Sequence, residues 1–295
     1  MNLKLLIGAV MLMACSACAE AEPAVEETGP AHTYEDVAAQ PAQWRTVAPD
    51  NLVVLNTSKG RIVLQLLPEI APRHVEQFRA YIRSGLYDGT LFHRVIKDFM
   101  AQGGDVAATH GEDKMMAPML AEFTVRRAPG EMPMDSIGPS DSATMGFHKG
   151  FPLQAQPAFL AAMSYDGLID VWMPHCPGVL STARTGDPNS GNAQFFLITL
   201  DGQHLDREYT AKGRIIEGLD VARALRKGPA PDGFPVVNPD LVISAQLASD
   251  LPEGARPDAY IMRTDTPEWT QILSDADRDG TNICDLPPVP SVVVG

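Results

Sequence analysis

Phe92-His93-Arg94-Val95-Ile96-Lys97-Asp98-Phe99-Met100-Ala101-Gln102-Gly103-Gly104-Asp105 is the stretch on which the choice of fold turns. Its apolar positions over 92–100 read as a short strand with Arg94 set inside it. Similar short runs recur at 179–181, 194–200, 212–216 and 242–248. Upstream, the runs 52–57 and 61–66 flank Ser58-Lys59-Gly60, and the second puts Ile62, Leu64 and Leu66 on one face, as a hairpin strand does. Pro72 then opens a helical pattern in which Val75, Phe78 and Ile82 share a face and Gly85 supplies the stop. A second helix is expected over 219–226. Many short, non-alternating strands with few helices favour a closed barrel or a sandwich over a doubly wound parallel sheet.

A second long motif runs from Ser181-Thr182-Ala183-Arg184 through Pro188-Asn189-Ser190 to Gln194-Phe195-Phe196. With the 92–105 stretch it resembles the paired signatures of the cyclophilin-type peptidyl-prolyl isomerases. The likeness extends over about 51–248 and takes in Ala121-Glu122-Phe123, Leu205-Asp206 and Gly213-Arg214-Ile215. The resemblance implies a mostly β fold, an eight-stranded antiparallel closed barrel capped by two helices, with a long loop insertion and a C-terminal extension. On that basis the isomerase domain is 49–250, the insertion about 125–175 and the extension 251–295. It also implies isomerisation of Xaa-Pro bonds with no metal and no organic cofactor.

The chemistry needed is the stabilisation of a twist. Resonance stiffens the prolyl C–N bond by roughly 18 to 20 kcal/mol, so rotation without help takes tens to hundreds of seconds. In the twisted state the nitrogen gains a basic lone pair, and a fixed donor aimed at it or at the carbonyl binds that state best. The resemblance assigns this role to Arg94, whose guanidinium stays charged and presents a rigid fork. Without the motif, a surface salt bridge would be the ordinary reading of such an arginine. The apolar slot for the proline ring falls to Phe99, Met100, Phe196 and Leu205, which on sequence alone would be core. Gln102, Gln194 and the main chain around Ala183 and Arg184 would hold the substrate backbone; otherwise Gln102 caps a turn. Aligned without gaps, Tyr209 stands where the family often has His, as in bacterial members, and His204 where it often has Trp, a departure that should weaken binding of cyclosporin.

Working outward, the net charge of -14 argues against unaided nucleic-acid binding, since phosphate neutralisation needs clustered Lys and Arg. The 25 prolines and 24 glycines, with only 6% aromatics, leave little room for a long-helix bundle. Residues 1–19 have the form of a signal: Lys4, then an apolar run over 5–14 too short to span a bilayer. Two processing sites remain open. Leu12-Met13-Ala14-Cys15 resembles a lipoprotein box that would lipidate Cys15, and Ala17-Cys18-Ala19 has the small-x-small form of ordinary cleavage. Residues 20–48 are expected to be a flexible linker. The expected location is the periplasm or cell envelope, with or without a lipid tether, the protein a monomer and its partners proline-containing polypeptides. For an exported chain only Cys176 and Cys284 remain for folding, as one disulfide or as two buried thiols.

Other signals are weaker. The methionines between Met100 and Met173 include spacings seen in soft-metal sites, but an adaptable apolar surface or loop core is the preferred reading. Asp275-Ala276-Asp277-Arg278-Asp279-Gly280 begins like a calcium loop and then fails, with Leu286 where a bidentate Glu belongs, so a solvated acidic turn is expected. No HExxH, GxSxG or phosphate-cradling glycine loop occurs. The expected function is therefore prolyl isomerisation in exported or unfolded proteins, the alternative being a cyclophilin-fold chaperone or partner-binding module with little isomerase activity.

Overall fold

The computed structural model describes residues 32–139, 143–275 and 282–295. The signal-like segment 1–19 with Cys15 and Cys18, residues 20–31 and nearly all of the acidic turn expected after Asp275 lie outside the described residues. In chain order the elements are α1 (Tyr34–Ala39), β1 (Trp44–Thr46), β2 (Leu52–Thr57), β3 (Gly60–Leu66), α2 (Pro72–Arg83), β4 (Arg94–Ile96), β5 (Met100–Gly103) and α3 (Val106–His110). Next come β6 (Val125–Arg127), β7 (Asp135–Pro139), β8 (Thr144–His148), β9 (Phe151–Ala155), β10 (Ile169–Trp172), β11 (Val179–Thr182) and β12 (Phe195–Ile198). The chain finishes with β13 (Thr210–Glu217), α4 (Leu219–Ala224), β14 (Val242–Leu247), β15 (Asp258–Met262), α5 (Pro267–Asp275) and β16 (Ser291–Val294).

Eight strands form one curled antiparallel sheet in the order β14-β2-β3-β13-β11-β12-β5-β4. Its two edges meet through the Leu91–Leu241 bridge and main-chain bonds from Phe92 N to Asp240 O (2.8 Å) and from Gly89 N to Val242 O (2.8 Å). The barrel is thus closed by a short seam rather than a full ladder. Period-two alternation sends Leu55, Ile62, Leu64, Ala101, Leu180 and Leu197 inward to a core shared with Val75, Phe78, Tyr81 and Ile82 of α2. Helix α2 carries the proline in its first turn and the apolar spacing that the sequence shows. Edge-to-face contacts of Phe195 with Phe78, Tyr87 and Phe92 fill the space between. Gly104, at φ +78°, allows the Phe195 ring to approach; a Cβ there would stand 2.7 Å from it.

Three expectations need correction. The run 92–100 is two strands, not one: Asp98 takes φ 56° and Phe99 N bonds Ile96 O, so the chain reverses between β4 and β5. The insertion is not a long loop. Strands β6 to β10 make a five-stranded antiparallel sheet in the order β6-β10-β9-β8-β7, and the buried side chains of Phe151, Leu153 and Ala155 alternate along β9 as sheet packing requires.

Nor are residues 32–48 a linker. They form α1 and β1, and β1 joins β15 and β16 of the C-terminal extension in a three-stranded sheet. A second core holds this extension against the barrel: Trp44, Phe147, Phe151, Ile261, Trp269 and Val292 pack with Val63, Val179 and Phe196, which face outward from the eight-stranded sheet. Trp269 meets Phe147 edge-on at 5.2 Å. Cys176 and Cys284 are joined in a disulfide across 108 residues, fastening the tail beside β11. Burying two separate apolar faces explains why neither segment remains a free appendage.

Candidate active site on the outer face of the barrel

The ladder register places the site. Arg94 is paired with Gln102 across β4 and β5, Gln102 with Phe196 across β5 and β12, and Phe196 with Ser181 across β12 and β11. Because their neighbours Val95, Ala101, Phe195 and Leu180 point into the barrel core, this row stands on the opposite, outward face. The adjacent row brings Ile96, Met100 and Ile198 together on the same face. A polar corner therefore adjoins an apolar floor.

The polar corner is held by its own hydrogen bonds. Arg94 donates from Nε to the Asp232 carbonyl (3.0 Å) and from Nη1 to Gln102 Oε1 (3.2 Å). Gln102 in turn donates from Nε2 to Gln194 Oε1 at 2.8 Å. These bonds fix the plane of the guanidinium before any ligand arrives, which lowers the reorganisation needed to use it. Ala183 gives its N–H to Gln194 O (2.9 Å), so that amide is already committed.

The apolar side has a floor and a rim. Met100 and Phe196 are only 2% and 4% exposed and form the floor, while Phe99, Leu205 and Tyr209 are half-buried and His204 is exposed. The Phe99 and His204 rings lie 4.9 Å apart, and Tyr209 meets Phe196 edge-on at 5.6 Å. The side chain of Arg184 is turned away from the polar corner. Its guanidinium carbon sits 4.4 Å above the Tyr209 ring and 5.5 Å from Phe123, with Nε bonded to Glu208 O at 3.0 Å. Arg184 thus braces Tyr209 by a cation–π contact.

Behind this face sits a buried ionisable group. Lys212 is 1% exposed, with Nζ 2.9 Å from Thr182 Oγ1 and 4.4 Å from the centre of the Phe78 ring. Burial pulls its pKa from 10.5 down to about 7. Nearby, the carboxylate of Glu122 accepts the N–H groups of Arg73 and His74 at the start of α2 and bonds His74 Nδ1 at 2.8 Å. Burial, opposed by the Glu122 bond and reinforced by the charge of Lys212, holds His74 below the usual histidine value.

The sequence reading gives no role to His175, Asp206 or the Asp232 carbonyl. Asp206 falls within the Leu205-Asp206 pair of the resemblance without a role of its own, and His175 is signalled only by preceding Cys176. Among the described residues no group of three or more His, Cys, Asp or Glu side chains is gathered as metal ligands would be. Met132, Met145 and Met173 are buried as packing in the second core. A separate cavity of about 480 Å³ opens on the exposed side of α2, lined by Pro72, Arg73, Glu76, Gln77, Ala80 and Met116.

Comparison with known proteins converges on one family. The family model described as "Cyclophilin type peptidyl-prolyl cis-trans isomerase/CLD" matches residues 52–246. A probable peptidyl-prolyl cis-trans isomerase of Brucella suis is 31% identical over 202 residues, covering 68% of this chain and 85% of that protein. A peptidyl-prolyl cis-trans isomerase of Streptomyces antibioticus is 34% identical over 182 residues, covering 59% of this chain and 82% of its own. The crystal structure of a cyclophilin from Hirschia baltica superposes with a TM-score of 0.83 at 47% identity, covering 89% of this chain and 97% of that one. A cover of 89% exceeds the 52–246 span, so the likeness to that cyclophilin reaches outside the eight-stranded domain.

Proposed function

The chain belongs to the cyclophilin-type peptidyl-prolyl cis-trans isomerases, and from that premise we propose that it turns Xaa-Pro bonds of exported or unfolded polypeptides in the cell envelope, on the face that carries Arg94. The observation that carries this reading is the register row that sets a pre-bonded guanidinium beside the Met100 and Phe196 floor.

Each part has a separate task. The pyrrolidine ring keeps its shape while the bond rotates, so the apolar floor and rim hold it equally well at the start, middle and end of the turn. The nitrogen does change, losing conjugation and gaining a lone pair at the twisted geometry. Arg94 donates to that nitrogen or to the carbonyl beside it and is the group that prefers the twisted form. Gln102 supports Arg94 directly and, with Gln194, offers amide groups to the substrate main chain. No bond is made or broken, and no proton need leave the arginine. Gln102→Ala is expected to lower kcat for a short Xaa-Pro peptide about tenfold by freeing the guanidinium to rotate. A protease-coupled or exchange NMR assay reads this; an unchanged kcat would detach Gln102 from the site.

Export is the second half of the proposal and rests on the signal-like segment 1–19. Mass spectrometry of the mature protein is expected to show either a diacylated or triacylated Cys15 at the N-terminus or a chain beginning near Glu20. An intact Met1 in protein recovered from cells would contradict it.

A further inference from the structure

Behind the Phe196 floor lies a histidine to which the imide chemistry gives no task. His175 is fully buried, its ring parallel to that of Phe196, with an interplanar angle of 15° and centroids 6.1 Å apart. One carboxylate oxygen of Asp206 receives both its main-chain N–H (2.7 Å) and its Nδ1 (2.9 Å). A carboxylate oxygen only accepts, so the ring hydrogen belongs on Nδ1. Nε2 on the far side is buried without a partner, an unsatisfied polar atom kept in the interior.

This residue also registers the rim. The His175 carbonyl accepts the N–H of Gly202 (3.1 Å), whose own carbonyl accepts from Leu205 (2.8 Å), and the Leu205 carbonyl accepts from Tyr209 (3.2 Å). Gly202 lies so close that a Cβ there would stand 3.2 Å from His175 Cβ. The segment bearing His204, Leu205 and Tyr209 is thus clasped to His175 at two points, Gly202 and Asp206. Cys176, the next residue, is disulfide-bonded to Cys284, and Asn282 Nδ2 donates to Gln203 Oε1 at 2.6 Å, so the C-terminal extension holds the same segment from outside.

We infer that His175 is a positioning residue: by stacking on Phe196 and clasping Asp206 it sets the spacing between the floor and the Leu205 rim, and so the fit for the proline ring. This rests on the active-site reading above. Because the ring is unchanged by rotation, a slackened slot weakens the ground state and the twisted state alike, and the loss falls on KM rather than kcat.

The test is steady-state isomerisation of a short Xaa-Pro peptide by His175→Phe, His175→Asn, Asp206→Asn and Arg94→Ala, with the melting temperature of each. His175→Phe keeps a ring beside Phe196 and the two main-chain bonds to Gly202 and Asp206 but loses the Nδ1 bond to Asp206, and is expected to raise KM about tenfold with kcat within about twofold. Asp206→Asn, changed from the more accessible end, keeps an oxygen that can accept both bonds but loses the charge that strengthens them, and is expected to raise KM in the same direction by a smaller factor, about threefold. His175→Asn offers an N–H close to the Nδ1 position and is expected to return KM part of the way to the wild-type value, which a general loss of stability would not do. Unchanged KM in both His175→Phe and Asp206→Asn, or a kcat that falls as far as KM rises, overturns the inference. Arg94→Ala separates the two layers: a wild-type rate there removes the active-site reading itself, whereas a lost rate with His175→Phe unaffected removes only the role of His175.

Discussion

Arg94→Ala is expected to lower kcat for isomerisation of a short Xaa-Pro peptide by about two to three orders of magnitude, with KM changed by less than about threefold. The asymmetry follows from what each group touches. Removing a donor that acts on the twisting nitrogen takes away roughly 3 to 4 kcal/mol felt only at the top of the barrier. The apolar floor that holds the ring is left in place, so ground-state binding survives. Arg94→Lys keeps the charge but loses the fork that now spans the Asp232 carbonyl and Gln102, and should recover little. Stopped-flow protease-coupled assays at several peptide concentrations separate the two constants. Equal kcat in wild type and Arg94→Ala would show that isomerisation does not depend on Arg94 and would remove the active-site reading.

The second large effect concerns stability and comes from Lys212. In the unfolded chain its amine stays protonated up to 10.5, whereas in the folded protein burial lowers that point to about 7. Between those values the unfolded state binds one more proton than the folded state, so stability rises with pH through this window and is lowest, as far as this group is concerned, below about 7. The slope is at most about 1.4 kcal/mol per pH unit, which gives roughly 2 to 3 kcal/mol between pH 7 and 9. Burial also pulls Arg214 down, from 12.5 to about 9, so it adds to the slope only toward pH 9; between pH 7 and 8 other groups contribute little, because burial pulls His74 below the usual histidine value and pushes Tyr81 and Tyr87 above 10.0. Lys212→Met keeps the length and the contact with Phe78 but removes the charge. It is expected to raise stability at pH 7 by on the order of 1 to 3 kcal/mol, the loss of the Thr182 bond offsetting part of the gain. It should also flatten the pH dependence. Urea denaturation of both proteins at pH 7, 8 and 9 checks this; parallel slopes would show that Lys212 is not the group responsible.

How much of this fold can be read from the sequence depends on how far apart the interacting residues lie. Ile62, Leu64 and Leu66 face the barrel core as their alternation indicates, and α2 buries Val75, Phe78 and Ile82. Those patterns are local. The reversal at Asp98 is easy to overlook because the charged pair Lys97-Asp98 is only two residues long between apolar Ile96 and Phe99, and a left-handed backbone at one position separates β4 from β5. The sheet of β1, β15 and β16 unites the two ends of the described chain, and nothing within either short run announces a partner more than two hundred residues away. The insertion strands are three to five residues long, too short for periodicity to distinguish from loop, although Phe151, Leu153 and Ala155 do alternate.

The site divides along the same line. Arg94, Gln102, Phe196 and Met100 stand together because two motifs far apart in the chain occupy neighbouring strands. Resemblance to a family could name those residues, while composition and spacing alone would have left them as core and surface. With Cys15 and Cys18 set aside, the sequence leaves Cys176 and Cys284 as one disulfide or two buried thiols, and they are bonded. His175 carries no motif. Its place beside Phe196 depends on the bend after β10 and on Asp206, which is brought in from another part of the chain.

Titration of the ¹⁵N-labelled wild-type protein with a short Xaa-Pro peptide, followed through its backbone amides, tests the central claim most directly. The account predicts shifts concentrated in residues 94–102, 183–184, 194–196 and 204–209, with separate cis and trans peptide signals exchanging on the enzyme. Shifts gathered instead around the Pro72–Met116 cavity, with residues 94–102 unmoved, would contradict it.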